Sequence, residues 1–290
     1  MRWLFRFLGV CAWLGMMSAG VSAAAGTLAQ FRTPLGDMTV ELYDQDKPVT
    51  VKNFISCVQS GLYQNTFFHR CEPGFVIQGG GFLVANRTAT GLANSYYQVP
   101  TFGKITNEFN VGRRLSNTFG TIAMAKVAGD PNSATSQWFF NLADNSAALD
   151  PQNGGFTVFG RVVEGTNVLN NFNQLAPGGG LVDMRYWYGN SLAVFYSLPV
   201  NYSGYTPPFY PDLMYVDISL LEVQVRRQSS GAREISWNSV SNRLNQVEFT
   251  TVLPPAWQSL SNVTGTGERL TVIDSSPEST NRFYRVRVDY

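Results

Sequence analysis

The chain has 290 residues, enough for one large domain or two modest ones, and its 44% apolar and 13% aromatic content can fill a substantial core. A formal net charge of +1 with no basic block excludes the footprint of a nucleic-acid binder. Frequent glycine (27 residues) and short runs of Val, Thr, Phe and Tyr favour many short strands and turns over helices.

Residues 1–25 read as a signal peptide and not as part of the fold. Arg2 and Arg6 precede an apolar run from about Phe7 to Met17, and the small residues Val21-Ser22-Ala23 or Ala23-Ala24-Ala25 suit signal peptidase. The run is short for a transmembrane helix; an uncleaved anchor is the alternative. Cleavage removes two arginines and takes the formal charge from +1 to −1. The mature chain is therefore expected to be exported, periplasmic or extracellular, with no membrane span. Cys57 and Cys71 remain in it. They can pair in an oxidising compartment or sit as small buried hydrophobes, and the sequence leaves both open. With one histidine and no CxxC, no protein-ligated metal or haem is expected, and no cofactor is called for.

From Phe31 onward, Pro34 to Asp37 forms a turn, and Met38, Val40 and Leu42 alternate with polar residues, as in the return strand of a hairpin. Pro48 opens a helix on which Val51, Phe54, Ile55 and Val58 make one apolar stripe, and Gly61 is a fitting stop. The stretch FFHRCEPGFVIQGGGF (67–82) follows, then a Gly/Asn/Thr-rich loop from about Leu83 to Asn107. Strand-like GTIAMAK (120–126) and QWFFNL (137–142) flank a turn, and FTVFGRVVEG leads into a second helix from about Thr166 to Gln174.

Residues 181–215 hold seven of the thirteen tyrosines and four of the fourteen prolines. They are too aromatic for a flexible linker and too rich in Pro and Gly for regular structure, and are read as an ordered excursion packed on a surface; a surface loop without function is the preferred reading over a functional one. RRQSSGARE (226–234) reads as a junction. Residues 231–290 then offer short strands spaced by turns, a small sandwich-like β module.

Arg70 is the anomaly of the quoted stretch. A guanidinium among aromatics is costly unless it is hydrogen-bonded or at a wet edge. By itself it fits either a structural ion pair or a donor held over an apolar pocket for a neutral ligand. The three glycines 79–81 are no phosphate cradle, since no Lys-Ser/Thr follows. They fit a close approach of strand and loop.

The ordered set FHRxxPGFxxQGG, GTxAMA, SQxFF, LD and FTVFG resembles the cyclophilins, from about Thr27 to Val225 and most closely in their bacterial exported form. The resemblance implies a mainly β fold, an eight-stranded antiparallel barrel capped by two helices over residues 26–226, with the C-terminal β module outside it. It implies a peptidyl-prolyl cis-trans isomerase acting on Xaa-Pro segments of unfolded or exported proteins. Arg70 matches the catalytic arginine. Phe75, Val76, Phe139 and Leu149 match the wall of the proline pocket, and Gln78 the glutamine that orients arginine and substrate. Ala125 and Lys126 match the strand that pairs with the bound peptide, and Gln137 a further polar contact to it. His69 matches the histidine beside the arginine, a support and not a general base.

Three positions depart from the family pattern. Val76 stands where methionine is common, Ala148 where many eukaryotic members have tryptophan, and Phe156 where a pocket histidine is found. Peptide turnover is expected to survive these changes; strong cyclosporin binding is not. Two other readings stand beside the isomerase: a non-catalytic module that grips proline segments, and a barrel that carries a small apolar ligand. Dense apolar alternation favours a filled interior over the carrier.

Overall fold

The computed structural model describes residues 27–289 except 222, 240–243, 254, 267 and 277–280. The expected leader, residues 1–25, lies outside the described residues.

The alternating segments form eight strands: β1 (Leu28–Thr33), β2 (Gly36–Leu42), β3 (Arg70–Glu72), β4 (Val76–Gly79), β5 (Thr121–Met124), β6 (Trp138–Asn141), β7 (Val158–Glu164) and β8 (Asp217–Leu220). They make one sheet in the order β8-β1-β2-β7-β5-β6-β4-β3, and every neighbouring pair is antiparallel. The residues leading into β3 and β8 join its two edges: Phe68 N–H donates to Met214 O (2.9 Å) and Val216 N–H to Thr66 O (3.1 Å). The sheet thereby curls round on itself.

Inward-facing residues fill the interior. Phe31 lies 5.2 Å from Trp138 and 5.1 Å from Phe140, edge to face, and Phe68 lies 5.6 Å from Trp138. The barrel interior is therefore packed with aromatic side chains, which argues against the carrier reading. Gly79 to Gly81 make the packing possible. A Cβ on Gly79 would lie 2.6 Å from the Trp138 ring, and one on Gly80 (φ +72°) 2.6 Å from Ser136 O.

Helix α1 (Pro48–Gln59) buries Val51 and Phe54, with Phe54 stacked on Phe31 at 5.9 Å. Its N-terminal amides are satisfied by the Glu108 carboxylate, which accepts from Val49 N–H (3.1 Å) and Thr50 N–H (2.7 Å). The fully buried Lys47 donates from Nζ to Glu108 O (2.9 Å), tying the same loop down. Helix α2 (Thr166–Asn173) buries Val168, Leu169 and Phe172. Cys57 and Cys71 are free, buried thiols, so the pairing left open by the sequence is not made. Among the described residues no helix is long and apolar enough to cross a membrane.

The tyrosine-rich insertion is an ordered lobe. Its strands Gly179–Val182 and Leu198–Ser203 pair antiparallel. Val182, Met184, Leu192, Phe195, Leu198 and Val200 share a second hydrophobic core with Phe67, Phe82, Val84 and Ala93. The loop after β4 and the insertion thus bury each other's apolar surface, which neither could do alone.

The C-terminal module comprises β9 (Val223–Arg227), β10 (Arg233–Asn238), β11 (Leu244–Thr250), β12 (Gln258–Thr264), β13 (Arg269–Asp274) and β14 (Phe283–Asp289). Two three-stranded sheets, β9-β10-β13 and β12-β11-β14, share a core of Ile235, Trp237 and Val247. The expected junction is corrected here. RRQSSGARE is the hairpin between β9 and β10, with Val223 paired to Trp237 and Arg227 to Arg233. The module therefore begins at Val223, before residue 231, and the barrel ends with Leu220 rather than at 226.

Candidate active site

The β3–β4 hairpin places the site by strand alternation. Across its tight Pro73-Gly74 turn, Arg70 pairs with Gln78, Cys71 with Ile77 and Glu72 with Val76. Cys71 and Ile77 point into the core with no exposure, so Arg70, Gln78 and Val76 stand on the outer face. Phe139 on β6 is the cross-strand partner of Gln78, and Ala123 on β5 that of Phe139. Val76, Ala123, Phe139, Leu149 and Val158 form a separate apolar cluster on this outer face, flanked by Phe75, Ala125 and Phe156.

A cavity of about 300 Å³ opens over that cluster, lined by Arg70, Phe75, Val76, Gln78, Ala125, Lys126, Phe139, Leu149, Gln152 and Phe156. Leu149 reaches it from a short helical turn, Ser146–Leu149. Asn145 fixes that turn by donating through Nδ2 to Phe75 O (2.7 Å) and to Asn141 Oδ1 (2.8 Å). Phe139, only 4% exposed, meets Phe156 edge to face at 5.8 Å. Of the residues expected at the site, His69 and Gln137 do not line the cavity. Gln137 acts one step behind, its Oε1 accepting from Gln78 Nε2 at 2.8 Å.

Gln78 was expected to orient the arginine, and its side chain turns instead to Gln137. The group that reaches Arg70 is Tyr196, whose hydroxyl accepts from Arg70 Nε at 2.5 Å. The Arg70 Cζ lies 5.8 Å from the Tyr196 ring and 5.9 Å from the Phe75 ring. Glu72 stands farther off, 3.7 Å from Nε, and both side chains are partly exposed, so this ion pair contributes little. The two readings of Arg70 are thus joined: it has a weak ionic neighbour and also overlooks an apolar pocket.

Ala125 and Lys126 run on past the last ladder residue of β5. Ala125 N–H donates to Gln137 O (2.9 Å), and among the described residues the backbone N–H and C=O of Lys126 have no partner. The Lys126 ammonium is occupied, donating to Asn153 O (2.7 Å) and Gly155 O (2.6 Å) with the Phe156 ring at 4.8 Å. Burial lowers its pKa to about 8. His69 is buried and packs edge-on against Phe82 at 4.9 Å. Burial, and secondarily the Arg70 charge, bring its pKa down to about 3, so the imidazole is neutral.

Residues 28–185 match the family model of the cyclophilin type peptidyl-prolyl cis-trans isomerases, just over half of the chain. The chain belongs to the cyclophilin family. A peptidyl-prolyl cis-trans isomerase of Acinetobacter baylyi is 39% identical over 158 residues, 54% of this chain and 77% of that protein. Peptidyl-prolyl cis-trans isomerase B of Escherichia coli is 39% identical over 155 residues, 52% of this chain and 87% of that protein. A crystal structure of a Cryptosporidium parvum cyclophilin aligns with a TM-score of 0.44 at 22% identity, covering 67% of this chain and 99% of that one. Membership carries the family's activity, isomerisation of peptidyl-prolyl bonds.

In this cyclophilin the departures from the family pattern sit at identifiable places. Val76 is 3% exposed in the pocket wall, Phe156 lines the cavity, and Ala148 is exposed on the turn that carries Leu149. Gln152 and Tyr196 were not singled out by the sequence. The tyrosine count marked the insertion, but no spacing rule says which tyrosine reaches the barrel.

Proposed function

We propose that this cyclophilin isomerises Xaa-Pro bonds in segments of exported proteins, with Arg70 as its catalytic group. The observation that carries the proposal is the placement of one guanidinium beside an apolar cavity walled by Phe75, Val76, Phe139 and Leu149. The proline ring fits that wall, and the Lys126 backbone offers a donor and an acceptor to the chain beside it.

The reaction breaks no bond, so neither nucleophile nor general base is required, in keeping with a neutral His69. Rotation about the peptidyl-prolyl bond must cross about 18–20 kcal/mol and takes tens to hundreds of seconds uncatalysed. As the bond twists, the prolyl nitrogen becomes pyramidal and gains a lone pair. A guanidinium N–H directed at that nitrogen binds the twisted state more tightly than the planar one, and only such differential binding accelerates the step. A contact worth about 3–4 kcal/mol in the twisted state gives roughly a few hundredfold.

The site is tested by titrating a short Ala-Pro-containing peptide into the isotopically labelled chain. Amide shifts are expected at Arg70, Ala125, Gln137 and Phe139; shifts confined to the groove between α1 and Phe102 would refute the assignment. Export rests on the charged and apolar pattern of residues 1–25. It predicts a mature chain, recovered outside the cytoplasm, whose mass begins near Ala24 to Gly26. Recovery of the uncleaved chain in the cytoplasm would contradict it.

A further inference from the structure

A long arginine side chain has several rotatable bonds and much rotamer freedom to lose, and β3, its host, is only three residues long. Holding the guanidinium over the cavity therefore needs a fixed partner. The cross-strand neighbour Gln78 gives its amide to Gln137. Glu72 is too distant from Nε, at 3.7 Å, for a hydrogen bond. The partner comes from outside the barrel.

Three consecutive residues of the insertion bring it there. Phe195, 3% exposed, is the anchor, packed against Tyr96 (4.7 Å), Phe82 (5.2 Å) and Phe67 (5.7 Å). Ser197 pairs with the edge of β3: Cys71 N–H donates to Ser197 O (2.8 Å), and Ser197 Oγ donates to Cys71 O. Tyr196, between them, is thereby set beside Arg70 and accepts from its Nε at 2.5 Å. The Tyr196 ring is also faced by Arg185, whose Cζ lies 5.6 Å from the ring centre and whose guanidinium is held by Asp183 (2.7 Å).

We infer that Tyr196 is a positioning residue for the isomerase reaction: the insertion holds the Arg70 guanidinium by its Nε edge and leaves the two terminal nitrogens to the peptide. The inference rests on the reading of Arg70 as the catalytic group. Its logic is the division of donors on one planar fork. With Nε engaged by a hydroxyl oxygen, and the Tyr196 ring centre 5.8 Å from Cζ, rotation of the fork is restricted before the substrate arrives, so less freedom is lost when the bond twists.

The test uses the full chain and the substitution Tyr196→Phe, which keeps the ring and removes only the hydroxyl. Turnover of a short Xaa-Pro peptide is expected to fall roughly tenfold, through kcat with little change in KM. On an Arg70→Ala background the same substitution is expected to cost nothing further, because its effect runs through the arginine. The Arg70 Nε–Hε resonance, assigned by its loss in Arg70→Ala, is expected to exchange slowly with water in the wild type and rapidly in Tyr196→Phe. Unchanged turnover in Tyr196→Phe beside an inactive Arg70→Ala overturns the inference alone, as does an equal loss on both backgrounds. Full turnover by Arg70→Ala overturns the reading of Arg70 and the inference with it.

Discussion

Arg70 sits in a greasy strand because alternation there serves two surfaces at once: its neighbours Cys71 and Ile77 face the core, while it faces the pocket. His69, one residue before, follows the opposite logic. Burial removes it from water and the adjacent guanidinium disfavours a second positive charge, so the folded imidazole resists protonation down to about pH 3. The unfolded imidazole takes up its proton near pH 6.5. Between those values the unfolded chain binds more protons, so the contribution of His69 to stability is complete above about pH 6.5 and is lost as pH falls toward 3. Because the chain has a single histidine, its imidazole resonance can be followed without ambiguity. It is expected to stay flat from pH 8 to 5 while denaturant stability declines below pH 6.5, by up to about 1.4 kcal/mol per pH unit from this residue. A midpoint near 6.5 in the folded chain would contradict the burial argument.

The strands and helices differ in how plainly the chain announces them. Helix α1 is legible because Pro48, the Val51–Phe54 stripe and Gly61 all agree, and tertiary packing then uses that face. The start of the C-terminal module is not. All of β9 is exposed, so it lacks a buried face to mark it as a strand. The turn RRQSSGARE has the polar, glycine-containing composition that hairpins share with linkers. The corrected boundary has a consequence. A chain ending after Leu221 keeps the whole barrel and is expected to retain isomerase turnover within about twofold. A chain ending after Gln228 leaves β9 without β10, an unpaired strand carrying Val223 and Val225, and is expected to associate. Sedimentation of the two truncated chains, with their turnover, distinguishes the cases; loss of turnover in the shorter one would tie the module to the site.

At the scale of the whole molecule, the barrel is a filled scaffold and the chemistry is on its outside, where β3, β4, β5 and β6 turn one face to solvent. Ordered motifs made that arrangement legible, since the pocket wall is drawn from the FHRxxPGF, SQxFF and LD segments in sequence order. The lobe that supplies Tyr196 was legible only as a change of composition. The contacts that define it join Phe67 and Phe82 to Phe195 across more than a hundred residues, and no local period encodes such a pairing. The Gln78–Gln137 bond was hidden for the same reason: both residues were legible as polar groups near the pocket, but which partner each one takes depends on the folded geometry. The decisive measurement is cis-to-trans exchange of a short Xaa-Pro peptide by NMR, with the full chain and with Arg70→Ala. Fast exchange that drops roughly a few hundredfold in the variant, with its circular dichroism unchanged, is the expected result. Equal exchange by wild type and a folded Arg70→Ala would remove the guanidinium from the mechanism.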